Sequence, residues 1–498
     1  MTYVSTRGHA PAIGLGAALV AGLAPDGGLY VPASLPSFDI ADFDGCDTLP
    51  GVAARLLRPF FAGDALADEL DAICAEALDI PAPLRAIGAD AWLLELFHGP
   101  TAAFKDFAAR FLAACFARLR AHEQEPPVLT DVIPAQAGIH GALSQAASMD
   151  ARLRGHDVRV APHVSASDGA ASRVPASVDA LHVADAVAPP FPIRTVLVAT
   201  SGDTGAAVAA AFHRRPGFRV VILYPDGRVS PRQAHQLGAF GYNVLALRAA
   251  GSFDDCQALV KSALGDDALK ARVPLASANS ISLGRLLPQM AYYALAALQR
   301  HRIGGAPPTF VVPTGNLGNA FAAILARACG LPIGDVVLAT NANRTLPDFF
   351  AGADYTPRAS VATLANAMDV GAPSNFERLR WLYPDDADLR RAVSAAAVDD
   401  ATIRATLRAY AERGLVVCPH TATALHVLDR RRAAGNRADT IVVATAHPAK
   451  FDTIIEPLLG HPVDVPPALA ALLARPADAE PLAATYEALA ARLNALDA

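Results

Sequence analysis

The stretch Glu95-Leu96-Phe97-His98-Gly99-Pro100-Thr101-Ala102-Ala103-Phe104-Lys105-Asp106 sets one lysine between Phe104 and Phe107. It follows a Gly-Pro turn and precedes an apolar helical run to Leu119. Apolar neighbours strip water from an ammonium, lower its pKa and favour the free amine that attacks a carbonyl, as a Schiff-base lysine must. The same residues also fit a helix-start lysine whose stem lies on the core and whose head reaches water. Taken alone, the stretch leaves both readings open.

Further stretches end a β-branched run in a polar or glycine-bearing turn. Thr195–Thr200 runs into Ser201-Gly202-Asp203-Thr204-Gly205 and then the helical Ala206–Phe212. A turn of this kind, opening a helix at a strand's C-terminal end, presents backbone N–H groups to an anion, and Ser201 and Thr204 add hydroxyls. An ordinary N-cap turn fits equally well. In Val311-Val312-Pro313-Thr314-Gly315-Asn316-Leu317-Gly318-Asn319 two glycines let the backbone wrap a phosphate at a helix start. It has neither the Walker lysine nor GxGxxG spacing, so it points to a small phosphorylated cofactor and away from ATP or a dinucleotide. Ser277–Gln289 holds Asn279, Ser280 and Arg285 where a turn and helix could converge them on a second phosphate or a carboxylate. The run Thr440–Thr445 ends in Ala446-His447-Pro448-Ala449-Lys450-Phe451, polar groups at the usual place for site residues in an open parallel sheet.

Elements must position these loops. At 498 residues the chain exceeds one ordinary core, and 53% apolar with 18% charged residues describes a globular protein of two or more domains. A net charge of −6 without a basic cluster argues against a nucleic-acid partner, and Arg430-Arg431-Arg432 fits a helix C-terminus. Cys46, Cys74, Cys115, Cys256, Cys329 and Cys418 show no CxxC spacing, which disfavours disulfides or a metal site and suits a reducing cytoplasm. The small-apolar run from Ile13 to Ala24 mimics an export signal. It is too short to span a bilayer, and its Leu15, Leu19 and Leu23 recur at helical spacing, so a buried helix and no membrane partner are expected.

Residues 1–92 read as a mostly helical N-terminal domain, with helices at 50–62 and 65–78. Within 93–457, β-branched runs at 195–200, 219–224, 309–312, 335–340 and 440–445 alternate with alanine-rich helices. That alternation implies crossover connections and a parallel sheet covered on both faces. Residues 458–498 read as a helical tail. The stretch 123–194 is rich in proline, glycine and serine without a sustained period, and is expected to be a flexible insertion without a catalytic role. Val132–Gly138 and Met149–Asp157 within it resemble translated bacterial intergenic repeats.

The motif around Lys105 (His-Gly-Pro-Thr-x-Ala-Phe-Lys-Asp), then Thr-Ser-Gly-Asp-Thr-Gly, Ser-Ala-Asn-Ser, Gly-Asn-Leu-Gly-Asn and Thr-Ala-His-Pro-Ala-Lys-Phe together resemble threonine synthase of the bacterial and fungal type. Tyr3–Gly8, Asp26–Pro32 and Asn366–Val370 look like that family too, and the likeness covers almost the whole chain in order except 123–194. The resemblance implies a pyridoxal-phosphate enzyme of the tryptophan-synthase-β-like fold, fold type II. That is an α/β architecture of two open, mostly parallel twisted sheets flanked by helices, with a helical N-terminal region. The implied reaction, the last step of threonine biosynthesis, converts O-phosphohomoserine and water to threonine and phosphate. By the resemblance, Lys105 is the Schiff-base lysine and proton shuttle. Gly315, Asn316, Leu317, Gly318 and Asn319 bind the cofactor phosphate, and Thr445 offers its hydroxyl to the pyridine nitrogen. Asp203 falls near the cofactor 3′-oxygen, where related enzymes often have asparagine. Ser201 and Thr204 take the substrate carboxylate, and Asn279, Ser280 and Arg285 the substrate phosphate. A cytoplasmic monomer or homodimer without a metal is expected. A same-fold phospholyase and a protein inactivated by its insertion are the alternatives.

Overall fold

Runs of β-branched residues become strands where both faces are covered, and Val196, Val198, Val220, Ile222, Val311, Val312, Val442 and Val443 are all withdrawn from water. The computed structural model describes residues 1–124 and 192–496. Strands β1 (Tyr3–Ser5) and β2 (Tyr30–Pro32) form an antiparallel pair. Strands β3 (Leu84–Gly88) and β4 (Ala91–Glu95) form a second antiparallel pair. A five-stranded, all-parallel sheet is built from β5 (Arg194–Ala199), β6 (Phe218–Pro225), β7 (Val244–Ala249), β8 (Leu275–Ser277) and, from the tail, β13 (Glu480–Leu482), in the order β13-β7-β6-β5-β8. The six-stranded sheet adds β9 (Thr309–Pro313), β10 (Val336–Thr340), β11 (Val393–Ala397) and β12 (Thr440–Ala444), in the order β11-β10-β9-β12-β4-β3. Only β3 runs against its neighbour there.

Register decides what lies together. Ala444 at the end of β12 pairs with Glu95 at the end of β4, and Pro313 at the end of β9 pairs with Ala339 of β10. The loops after 95, 313 and 444 therefore leave one edge of the six-stranded sheet. In the other sheet Leu197 of β5 pairs with Ser277 of β8, so the loops after 199 and 277 also leave together. Ligands of open parallel sheets bind outside such carboxyl ends.

The helix Leu49–Phe61 illustrates how sequence makes the N-terminal packing. Thr48 caps it by accepting from Gly51 N, a proline follows at its start, and Val52, Ala53, Leu56, Leu57, Phe60 and Phe61 form its buried stripe. Phe60 O then accepts the buried Tyr3 hydroxyl at 2.7 Å. The second expected helix is shorter than 65–78, running Leu70–Ala77, because Asp64 turns the chain by accepting from Gly16 N and Leu66 N. Position 92, expected to end a domain, sits inside β4 with Trp92 beside Ile441. The tail forms helices Pro467–Leu473 and Tyr486–Asn494 and additionally the edge strand β13, which saturates the exposed side of β7.

Of the stretch 123–194, all but residues 123–124 and 192–194 lies outside the described residues. Its described ends meet, with Arg194 Nη2 2.8 Å from Glu123 Oε1 and Arg120 Nη2 donating to Pro192 O at 3.0 Å. Among the described residues, no helix is long and apolar enough to cross a membrane.

Helix Lys105–Gln124 is held against the helix Asp203–Phe212 and the start of β6 by Phe116, whose ring lies 6.0 Å from Phe212 and 6.4 Å from Phe218, all three buried. Phe116→Ala should lower unfolding free energy by about 3–5 kcal/mol, the usual cost of an aromatic cavity. The shift of the urea unfolding midpoint measures it, and an unchanged midpoint would mean that the helix is held elsewhere.

Candidate active site

Lys105 is the first residue of its helix, and the loop before it is stitched to the exit of β12. Leu96 N donates to Ala444 O, Phe104 N to Thr445 O at 2.8 Å, and His447 N to Ala102 O at 3.0 Å. Ala102 stands at φ 56°, a costly conformation for a residue with a Cβ, and those pairings hold it there. Asp106 closes the turn, taking Thr101 Oγ1 at 2.6 Å on one carboxylate oxygen and Thr101 N at 2.9 Å on the other. Burial pushes the Asp106 carboxyl up to about 6 against the pull of those bonds.

The Lys105 ammonium lies 4.5 Å from the centre of the Phe104 ring. Burial, then the positive charge of Arg285, push it down to about 7, while Asp203 pulls the other way. The residue keeps partial access to solvent, as an amine that must meet a ligand requires. Arg285 is 1% exposed and donates through Nη1 to Ala278 O at 2.5 Å. Burial lowers its guanidinium to about 10, with Asp106 and Tyr292 opposing.

The buried groups that have no partner among the described residues include Arg285 Nε, Asn319 Nδ2, Ser282 Oγ and His420 Nδ1. Asn319 is aimed by Tyr292 and Tyr293, whose hydroxyls each donate to its Oδ1 at 2.8 Å. Buried polar groups are nearly always bonded, so uncommitted donors of this kind fit oxyanion ligands.

Asn319 belongs to the glycine loop after β9. Leu317 stands at φ 63° and turns the chain so that the helix Gly318–Ala328 begins at once, its first N–H groups free of helical acceptors. A Cβ on Gly315 would fall 2.7 Å from the Met368 Cα, so only glycine lets the two backbones touch. Asn316 locks the loop, donating to Ser280 Oγ at 2.8 Å and accepting from Ser374 N at 2.6 Å. The free donors, the helix start and the close glycine suit a phosphate-bearing group, and Lys105 suits its aldehyde.

The loop after β5 is built differently. Gly202 adopts φ 127°, and Thr200 Oγ1 accepts from Gly202 N and Gly205 N. Asp203 Oδ1 lies 2.7 Å from Lys450 Nζ and accepts Gln233 Nε2 at 2.9 Å. Burial alone would raise Asp203, but Lys450 and Gln233 outweigh it and hold the carboxyl below its ordinary range. Ser201 and Thr204 are half-buried, and Ser201 borders a cavity of about 340 Å3 shared with Asn366, Asp369 and Phe451. Thr445 is 6% exposed beside the Lys105 loop.

Lys105, Asp203 and Arg285 are thus brought into one electrostatic neighbourhood. Asn279 is not uncommitted there: its amide accepts from Ala199 N and donates to Ala199 O, extending the β5–β8 pairing. Ser280 Oγ accepts from Asn316 Nδ2 at 2.8 Å and keeps its own hydroxyl proton to donate. Within the expected phosphate set Arg285 has an unpartnered buried nitrogen among the described residues, and Ser282 adds an unpartnered hydroxyl.

Sequence reasoning missed Gln233, Ser282 and His420, and it marked the stretch that holds Lys450 without giving that lysine a role. Gln233 and Gln236, one turn apart on the short helix Pro231–Gly238, are both fully buried, and paired buried amides are a readable signal. His420 is buried near the start of helix Pro419–Ala433 and accepts Ala367 N at 3.1 Å; burial drives its imidazole down to about 4. No spacing in the sequence marks it.

Fold and site together define a fold type II pyridoxal-phosphate enzyme, and the pyridoxal-phosphate-dependent enzyme family matches residues 180–446. Two further families match the ends, threonine synthase N terminus over residues 2–78 and threonine synthase C-terminal over 421–492. The threonine synthase of Escherichia coli (strain K12) is 33% identical over 466 residues, covering 93% of this chain and 92% of that protein. The crystal structure of threonine synthase from Escherichia coli superposes with a TM-score of 0.79 at 32% identity, covering 99% of each chain. That of pyridoxal-phosphate-bound threonine synthase from Brucella melitensis gives 0.77 at 30% identity, also covering 99% of each. The chain belongs to the threonine synthase family.

Two outcomes follow from the geometry. Gly315→Ala should weaken pyridoxal phosphate binding at least tenfold (about 1.4 kcal/mol or more), because Met368 Cα is backbone and cannot swing aside; an absorbance titration with unchanged affinity would refute the close approach. The reactivity of Lys105 toward pyridoxal phosphate, trapped with borohydride, should rise with pH around a midpoint near 7, since the ammonium below that pH is not nucleophilic. A midpoint at the ordinary lysine value would show that the charges around it do not act as described.

Proposed function

We propose that the chain converts O-phosphohomoserine and water to threonine and phosphate, with Lys105 as the amine that carries the cofactor. The observation supporting this most is the set of uncommitted buried donors, Arg285 Nε, Asn319 Nδ2 and Ser282 Oγ, beside a lysine held near neutrality. A substrate with one phosphate, used with a cofactor bearing another, calls for two anion sites. In this reading Gly315, Asn316, Leu317, Gly318 and Asn319 hold the cofactor phosphate, and Thr445 offers its hydroxyl to the ring nitrogen. Asp203 stands toward the 3′-oxygen, Ser201 and Thr204 receive the substrate carboxylate, and Arg285 with Ser282 receives the substrate phosphate. Ser280 can add its hydroxyl to that second site while its oxygen holds Asn316, and Asn279 shapes the site through its amide bonds to Ala199.

When bound, pyridoxal phosphate supplies the electron sink. The chain's own groups do the rest. Lys105 Nζ, its pKa brought down to about 7, takes the proton from the substrate Cα and later one from Cβ, whose electron pair expels the phosphate from Cγ. The Arg285 guanidinium stabilises the phosphate that departs from Cγ, and water adds at Cβ. Phe104, Phe107 and the buried strand ends keep bulk water from the amine. We place the protein in the cytoplasm, where its six free thiols stay reduced, acting on a small molecule without a nucleic-acid or membrane partner, as a monomer or homodimer.

Incubation with O-phosphohomoserine should yield threonine and phosphate in equal amounts; a 2-oxoacid with ammonia would favour a phospholyase. Lys105→Ala should abolish both products. Arg285→Ala should lower kcat/KM by about 2–5 kcal/mol, the cost of an unpaired buried phosphate, with cofactor content unchanged. An unaltered kcat/KM would remove Arg285 from the substrate site.

A further inference from the structure

The chain contains four lysines, at 105, 261, 270 and 450. Lys261 is exposed and Lys270 pairs with Asp267 at the surface, leaving two lysines for the interior of the site. Lys450 is 0% exposed. Its Nζ lies 2.7 Å from Asp203 Oδ1 and donates to Thr101 O at 2.8 Å, four residues before Lys105. Both lysines therefore share Asp203 as a neighbour: Lys450 in direct contact, Lys105 through its field.

A site that depends on one amine attacking an aldehyde must keep a second amine from competing. We propose that Asp203 makes this choice, holding Lys450 as an ammonium so that carbonyl chemistry is confined to Lys105. A lysine bonded to a buried carboxylate has its nitrogen lone pair occupied by a proton, and removing that proton would leave an unpaired carboxylate in the interior. Among the described residues no equivalent contact restrains Lys105, which faces the Phe104 ring and the Arg285 charge. The groups around Lys450 favour the same state. Asp203 and Asp106 are acidic, Thr101 contributes a carbonyl, and His420 is neutral, its Nε2 engaged as an acceptor. Gln233 fixes the Asp203 carboxylate through the same oxygen that Lys450 contacts. Lys450 is in this account a positioning residue, and Asp203 the determinant of which lysine reacts.

The inference rests on the reading of Lys105 as the cofactor-carrying amine, and the test separates the two. Full-length protein is incubated with pyridoxal 5′-phosphate and reduced with borohydride, and the label is mapped by peptide mass. The amine nitrogen bonds to the aldehyde carbon, whose oxygen leaves as water. Borohydride then adds hydride to that carbon and water supplies the proton to nitrogen, leaving a stable secondary amine. Wild type should carry its label on Lys105; label elsewhere defeats that reading. Lys105→Ala should label Lys450 no more than the surface residues Lys261 and Lys270. Lys105→Ala with Asp203→Asn should raise the label on Lys450 at least tenfold over Lys105→Ala. The proposal is overturned if Lys450 is already labelled above the surface lysines in Lys105→Ala, or if the double variant, folded by circular dichroism, shows no increase. Should the double variant not fold, Asp203→Asn alone decides: the Lys450 share of the label rises tenfold over wild type, or the proposal fails.

Discussion

An ammonium and a carboxylate 2.7 Å apart, out of contact with water, hold the two sheets' loops in one arrangement. Hydrogen bonds along strands can fix loops of a single sheet relative to each other, but they do not cross to the other sheet. Lys450 follows β12 of the six-stranded sheet and Asp203 follows β5 of the five-stranded one. Thr101 O joins them from the Lys105 loop, and Gln233 from a helix. A buried ion pair is not in itself stabilising, because desolvation offsets the attraction. Here each partner also has a neutral hydrogen-bonding neighbour, and losing one charge would leave the other stranded, at a cost of about 3–5 kcal/mol. Geometry is the gain: the amine, the aspartate and the glycine loop are held together before any ligand arrives.

The same enclosure sorts the titrating groups. Burial opposes every charge alike, so what remains charged is decided by partners. Asp203 touches Lys450 and stays a carboxylate; for Asp106, held by Thr101 and only in the field of Lys450, burial prevails and the carboxyl rises to about 6. Lys105 lacks a direct counter-ion and falls to about 7, while buried His420 falls to about 4. Neighbouring groups whose pKa values are pushed apart, His420 to about 4 and Lys105 to about 7, are what acid–base chemistry at pH 7 requires.

Much of this was legible because it is local. A β-branched run, a glycine turn and an alanine-rich helix follow one another within twenty residues or so, and periodicity shows them. Lys105 is marked by its phenylalanines, a signal that stays ambiguous until the later motifs join it. What stayed hidden depends on contacts distant in sequence. Lys450 meets Thr101 across 349 residues, and Asn279 spends its amide on Ala199 across 80. Asn279 could be read as a ligand group because nothing near it shows that a strand has already claimed its amide. The edge strand β13 was hidden likewise: only the open side of β7 turns that short tail segment into a strand.

Two arginines show how role can be read from donor accounting. Arg285 and Arg378 are both buried, and among the described residues neither has a carboxylate in contact. Arg378 gives Nε and Nη2 to Tyr30 O, Nη2 also to Ile281 O, and Nη1 to Asn375 Oδ1. Asn375 in turn donates to Asn316 O, so Arg378 wires the N-terminal strand β2 to the glycine loop and has every arm engaged. Arg285 makes one bond, to Ala278 O, and leaves Nε uncommitted. Equal burial and equal charge thus carry different meanings: a guanidinium satisfied by oxygen acceptors holds structure, whereas one with an unmet donor has a hydrogen bond still to give.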